Sequence, residues 1–251
     1  MYAVTHSARV VFTLAVGAVF AALTFVATLV LTVAVPATSG YFNIGETVIY
    51  VAAIVFGPYV GAFAGGVGAA LADMLVAFPF FPGTLVIKAC EGAIVGFVSN
   101  RLRGTSKASW RVLTAILGVI VGGALILTGS IYYTGEIQLF LGIPPPSNPT
   151  FTFSLPVEFW FILGAIVALL IVFLGFKTDP ESGRAMLAMI SGGLEMVLGY
   201  FLYETFILGK GTAIVEVPIN IGQMIVGLVV ALPVARIVMR SLPQLKSWTN
   251  I

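Results

Sequence analysis

Twenty-six consecutive residues, Val10 to Val35, carry no charge, and neither do Val112–Gly135 (24 residues), Phe159–Phe176 (18) and Val217–Ala235 (19). A bilayer's hydrocarbon core is crossed by about 20 apolar residues, with a range near 17–25, so each run is long enough to span one. Only 9% of the chain is charged, against about 25% in an ordinary soluble domain. Too little polar surface is available to face water on all sides. The chain therefore reads as an all-α polytopic membrane protein. The first run outlasts the apolar core of a signal peptide, roughly 7–15 residues, and no polar cleavage region follows it, so it is expected to stay as a helix.

Apolar runs and their Gly/Pro punctuation predict eight crossings, near 9–35, 45–56, 58–78, 84–101, 110–133, 157–177, 184–208 and 215–240. The second has only 12 residues and turns into the third through Gly57-Pro58, so a re-entrant pair is the alternative there. Basic loops stay cytoplasmic. With the N-terminus inside, Arg9, Arg101, Arg103, Lys107, Arg111, Lys177, Arg184, Arg236, Arg240 and Lys246 all fall at cytoplasmic ends, ten of the twelve basic residues. Both termini are then cytoplasmic, and 134–156, with Pro144-Pro145-Pro146, becomes an external segment of extended polyproline character, either a lid or a plain connector.

On this topology the intramembrane polar residues gather in one outer layer. Asp73 comes late on the outward third crossing, and Lys88 and Glu91 come early on the inward fourth. Tyr200, Tyr203 and Glu204 end the seventh; Glu216, Asn220 and Gln223 begin the eighth. Residues three or four apart share a helical face, so Glu216, Asn220, Gln223 and Gly227 form one stripe and Met196, Tyr200 and Tyr203/Glu204 another. A charge at the bilayer centre costs about 2.5–3.5 kcal/mol, whereas a helical Lys/Glu pair in water gains only about 0.2–0.5 kcal/mol. Lys88 and Glu91 should therefore face a polar cavity or a buried partner. Glu195 points to the opposite face from Glu204 and is left outside this set.

Small residues mark close helix packing: Gly61/Gly65, Gly68/Ala72, then Gly92 and Gly96. No Walker-type lysine accompanies them, so they do not cradle phosphate. Ala15, Ala18 and Ala22 lie on one face of the first crossing, suited to internal packing or to docking another membrane protein. A single cysteine, Cys90, excludes an internal disulfide and reads as packing; with His6 the sole histidine, no metal site or catalytic constellation is expected.

The blocks "GYFNIGETVIYVAAIVFGPYVGAFAGGVGAALADMLVAFPFFPGTLVIKACEGAIVGF" (40–97), "LEMVLGYFLYE" (194–204) and "VPINIGQMIVGLVVALP" (217–233) resemble the S component of energy-coupling factor (ECF) transporters, riboflavin-transporter type. The resemblance spans roughly 8–103 and 184–240. It implies a subunit that captures a vitamin or precursor, such as riboflavin, a pyrimidine or a pyridoxine-like heterocycle, on the external side. It also implies assembly with a transmembrane T subunit and two cytoplasmic ATPases. Any ATP would be used by those ATPases, no cofactor is expected on this chain, and no nucleic-acid partner is expected.

By the same resemblance, the first helix meets the T subunit through Ala15, Ala18 and Ala22, and the loops holding Tyr41, Asn43 and Glu46 and Phe78–Phe81 gate the pocket. The substrate-binding set is then Asn43, Glu46, Asp73, Lys88, Glu91, Tyr200, Tyr203, Glu204, Asn220 and Gln223. An S component has six helices, so 1–103 and 184–251 read as its two parts and 104–183 as an inserted pair with the Pro-rich external loop. Two other readings are a solitary carrier or channel and an intramembrane enzyme using Asp73, Glu91 or Glu204, the latter disfavoured by the lack of His and Cys partners.

Overall fold

The fold, taken from a computed structural model, is described for residues 6–101, 107–142, 145–177 and 180–242. Arg103, Pro144 and Lys246, used above to place charge and loop, lie outside the described residues. Among those described, seven helical stretches are long and apolar enough to cross a membrane: 7–30, 58–76, 78–101, 111–132, 157–177, 183–206 and 213–241. A shorter apolar helix occupies 45–56.

The first helix, α1 (His6–Val30), stops five residues before the expected end. The chain there reads Thr32-Val33-Ala34-Val35-Pro36, and the proline drives the residue before it into extended geometry while the β-branched residues favour a strand. This becomes β1 (Val33–Val35), which turns through Ser39, at φ 61°, into β2 (Gly40–Phe42). Helix α2 (Gly45–Phe56) ends at Gly57, whose φ of 92° suits a residue without a Cβ, and Pro58 opens the next helix.

That next span is α3 (Pro58–Phe63), a π-helical stretch at Ala64–Ala69 and α4 (Ala70–Val76). A short 3-10 turn at Phe78–Phe80 leads into α5 (Phe81–Arg101), followed by α6 (Lys107–Tyr132). Strands β3 (Gly135–Leu141) and β4 (Phe151–Leu155) come next, then α7 (Val157–Lys177), α8 (Pro180–Phe206) and α9 (Ala213–Ser241).

The strands are an addition to the helical fold expected from sequence. They form one antiparallel sheet, β2-β1-β3-β4, with Val33 opposite both Phe42 and Leu141 and Gly135 opposite Leu155. The segment 134–156 is thus largely a β-hairpin, with Pro145 and Pro146 in the connection between its strands. Gly135, at φ 91°, turns the chain out of α6, and the β-branched and aromatic residues of "GEIQLFL" and "FTFSL" carry the strands.

Helices α6 and α7 pack chiefly on each other. A Cβ at Gly122 would meet the Gly164 carbonyl oxygen at 2.5 Å, and one at Gly164 would meet the Gly122 carbonyl oxygen at 2.6 Å, the close approach that small residues permit. At the sheet end, the Trp160 indole N–H donates to the Tyr133 carbonyl (2.6 Å) and the Tyr133 hydroxyl to the Val215 carbonyl of α9 (2.7 Å).

Glycines also bring α5 against the α3–α4 span. A Cβ on Gly61 would sit 2.7 Å from the Gly92 carbonyl oxygen, one on Gly92 would strike the Gly61 carbonyl, and one on Gly96 would strike Pro58. Gly65 lies on the Lys88 carbonyl, while Gly68 lets α1 approach at Ala21 and Thr24. Overpacking a fitted contact costs about 1–3 kcal/mol. Gly92→Val should lower the thermal midpoint in detergent by an amount matching that range, whereas Gly123→Ala, with nothing within 4 Å of its added Cβ, should leave it nearly unchanged.

Candidate functional site

Lys88 organises the interior. Threonine, isoleucine and glycine neighbours along α5 turn Thr84, Ile87, Lys88, Glu91 and Gly92 inward together, and Lys88 is 3% exposed while Glu91 is 0% exposed. The ammonium donates to Glu46 Oε1 on α2 and to Glu91 Oε2 (3.1 Å). The Tyr50 hydroxyl donates to the other Glu91 oxygen at 3.0 Å. The same ammonium lies 5.5 Å from the Tyr200 ring centroid, within cation–π range. A buried charge of this kind persists only when paired and hydrogen-bonded; here Glu46 and Glu91 pair with the ammonium, Tyr50 holds Glu91 and the Tyr200 ring lies beside the charge.

A cavity with about 460 Å³ of atom-free space, including its opening to solvent, lies against this cluster near the sheet. Asn43, Glu46, Asp73, Lys88, Tyr200, Glu204, Asn220 and Gln223 all line it, eight of the ten residues expected there. Glu91 does not; it stands behind Lys88 as its counter-charge. Tyr203 does not either: helical geometry turns it about 60° from Tyr200 and about 100° from Glu204, and it packs its ring on Gly83 and donates to the Pro79 carbonyl at 2.9 Å.

Two further hydrogen-bonded groups shape the walls. Asp73 accepts from the Tyr41 hydroxyl (2.5 Å) and from Thr84, whose oxygen is 2.9 Å from the Tyr200 hydroxyl. Burial, with the Asp73 carboxylate beside it, pushes the Tyr41 phenol well above its ordinary range, so it stays a donor. Across the cavity, Asn43 donates to the Gln223 amide oxygen through its side chain (2.6 Å) and its backbone N–H (3.2 Å), and Gln223 donates to Asn220 (2.9 Å).

The cavity also includes Thr28, Gly40, Tyr41, Ala69, Phe80, Thr84 and Glu216. Tyr41 and Phe80 belong to the expected gating loops, and Glu216 to the expected stripe on α9. Thr28 and Thr84 were absent from the sequence reading. Thr84 is one turn before Lys88 and so shares its face, which is a usable signal; Thr28 lies on a helix read for its alanines, where a hydroxyl attracts no notice.

Outside the cavity, Ala15, Ala18 and Ala22 are exposed, while Ala21, Thr24 and Thr28 turn inward. The alanine face is therefore not used for internal packing. Cys90 is exposed rather than packed, because it lies on the face of α5 away from Lys88 and Glu91. Glu195 is half-buried, with one carboxylate oxygen lacking a hydrogen-bond partner, and does not line the cavity. Among the described residues no group of three His, Cys, Asp or Glu side chains is placed to hold a metal.

A bundle of long apolar helices around a buried polar cavity defines a multi-pass membrane protein. Residues 10–159, more than half of the chain, match the family model described as the ECF-type riboflavin transporter, S component. The chain belongs to that family, whose members are substrate-binding subunits of membrane transporters. The match takes in α6 and the β-hairpin and ends at the start of α7, so the cavity residues on α8 and α9 lie beyond it. A relative from Pyrococcus woesei, described as an uncharacterized protein in the gap 3' region, is 43% identical over 104 residues, 41% of this chain and 66% of the relative. The match thus covers just under two thirds of that relative's length.

Removing one partner of a buried ion pair costs about 3–5 kcal/mol. Lys88→Met should therefore lower stability in detergent by about that amount, and adding Glu46→Gln and Glu91→Gln to it should recover most of the loss in thermal or chemical unfolding.

Proposed function

We propose that this chain is the substrate-capture subunit of an ECF-type ATP-driven importer, taking up a vitamin-like heterocycle such as riboflavin, a pyrimidine or a pyridoxine-like compound. The observation that carries the reading is the convergence of α2, α4, α5, α8 and α9 on one polar cavity at the sheet end. Phe80 and Tyr200 supply aromatic faces, with ring centroids 6.4 Å apart, and Lys88, Asn220 and Gln223 supply directional polar groups, the composition expected of a small-molecule site.

In this reading α1, α2, the α3–α4 span, α5, α8 and α9 make the six-helix core, within 1–103 and 184–251. Helices α6 and α7, within 104–183, are an inserted pair, making eight crossings with α2 counted as one. Arg9, Arg101, Lys177, Arg184, Arg236 and Arg240 lie at helix ends remote from the sheet, which favours a cytoplasmic position for those ends and for both termini. The cavity then opens outward. The exposed face of Ala15, Ala18 and Ala22 is the docking surface for a T subunit, and two ATPases attached to that subunit are the users of ATP.

Mass spectrometry of small molecules released from the purified protein tests the capture reading directly. Losing a buried hydrogen bond costs about 1–3 kcal/mol, or roughly five- to 150-fold in affinity. Asn220→Ala should weaken binding of the released compound by that factor while the protein remains folded; unchanged affinity would contradict a role for this wall. Uptake into vesicles should require co-reconstituted T subunit and ATPases. Ala18→Trp should abolish uptake without changing ligand affinity, and uptake by the chain alone would instead indicate a solitary carrier.

A further inference from the structure

One end of the cavity has an acceptor surplus that the chain itself does not satisfy. Glu204 is 0% exposed, lines the cavity, and neither of its carboxylate oxygens has a hydrogen-bond partner. Its neighbour across the α8–α9 connection, Glu216, is 4% exposed and receives the Thr38 hydroxyl. Lys210 is near enough for its charge to act on both carboxylates, but its ammonium donates to the Thr38 carbonyl and sits 4.7 Å from the Phe80 ring centroid, leaving the Glu204 oxygens without a donor. Elsewhere on the wall each carboxylate has donors, Lys88 for Glu46 and two hydroxyls for Asp73. Leaving a buried carboxylate without donors is costly, so Glu204 is an acceptor awaiting a group that enters the cavity.

We propose that the Glu204 end of the cavity receives a protonated amine, or an equivalent cationic N–H group, carried by a heteroaromatic ligand whose ring lies against Tyr200 and Phe80. This rests on the capture reading above and adds the ligand's charge class to it. Four carboxylates line the cavity, from Glu46, Asp73, Glu204 and Glu216, against two ammonium groups, Lys88, already shared between Glu46 and Glu91, and Lys210, which lies beside Glu204 and Glu216. An anionic ligand would add to this imbalance, whereas a cation offsets it. An organic cation suits this end because the aromatic faces of Tyr200 and Phe80 stand beside the carboxylates. Tyr200 lies one turn before Glu204 on the same face of α8, which sets the amine about one helical turn from the ring.

Isothermal titration of the purified full chain in detergent tests this with four probes: tryptamine and pyridoxamine as heteroaromatics that carry a protonated amine, riboflavin as a neutral one and biotin as an anion. At least one cationic probe should bind about tenfold or more tighter than riboflavin and biotin. Glu204→Gln, which keeps shape and removes charge, should weaken that probe by about tenfold or more. If this variant does not fold, Glu216→Gln should give a smaller loss in the same direction. Cationic probes that fail to bind below about 1 mM, or that bind wild type and the folded variant equally, overturn the proposal. Riboflavin or biotin binding in that event would preserve the capture reading, and the released-compound experiment judges that reading separately.

Discussion

The pairing of Lys88 with Glu46 and Glu91 is the interaction on which the interior depends. Three ionisable groups sit inside a bundle of apolar helices, and each is 3% exposed or less. Such a cluster is tolerable only if every helix that contributes to it stays in register. Lys88 thus links α2, α5 and α8, through Glu46, Glu91 and the Tyr200 ring. The cavity is the space left on one side of that linkage, and its electrostatics follow from it: the ammonium gives two of its three N–H groups to its own counter-charges, and carboxylates predominate on the rest of the wall.

Backbone proximity supplies the second constraint. The π-helical stretch Ala64–Ala69 carries three glycines that admit α1 on one side and α5 on the other, which a run of larger side chains would keep apart. Above this wall the sheet forms a roof: β2 contributes Gly40 and Tyr41 to the cavity, and β1 joins that strand to the hairpin following α6. The helix pair α6–α7, although packed chiefly on itself, is therefore tied to the cavity through backbone hydrogen bonds and through Tyr133.

Helices and most of the cavity were legible in the sequence because both leave a local periodic trace. Charge-free runs located the spans, and the energetic penalty on intramembrane charge made Asp73, Lys88 and Glu204 conspicuous. The sheet left no comparable trace, since β1 pairs with a strand that begins a hundred residues later and short alternating segments do not announce their partners. Thr28 and Thr84 escaped notice because a hydroxyl in an apolar helix can bond within its own turn and so carries little signal. Tyr203 follows Tyr200 by three residues, a step that rotates a side chain about 60° and moves it beside the wall, and Glu91 is held behind the wall by its bonds to Lys88 and Tyr50.

The carbonyl-to-glycine contacts between Gly61 and Gly92 have a mechanical meaning. Two helices that touch through main-chain atoms cannot slide past one another as helices separated by flexible side chains can, because there are no rotamers to absorb the shift. The α3–α5 side of the cavity is thus a fixed jaw, carrying Lys88 at a set height. The opposite jaw is the more compliant one, because Asn43, Asn220 and Gln223 meet there through hydrogen bonds that each end on a side-chain amide, so widening that admits a molecule is expected on that side.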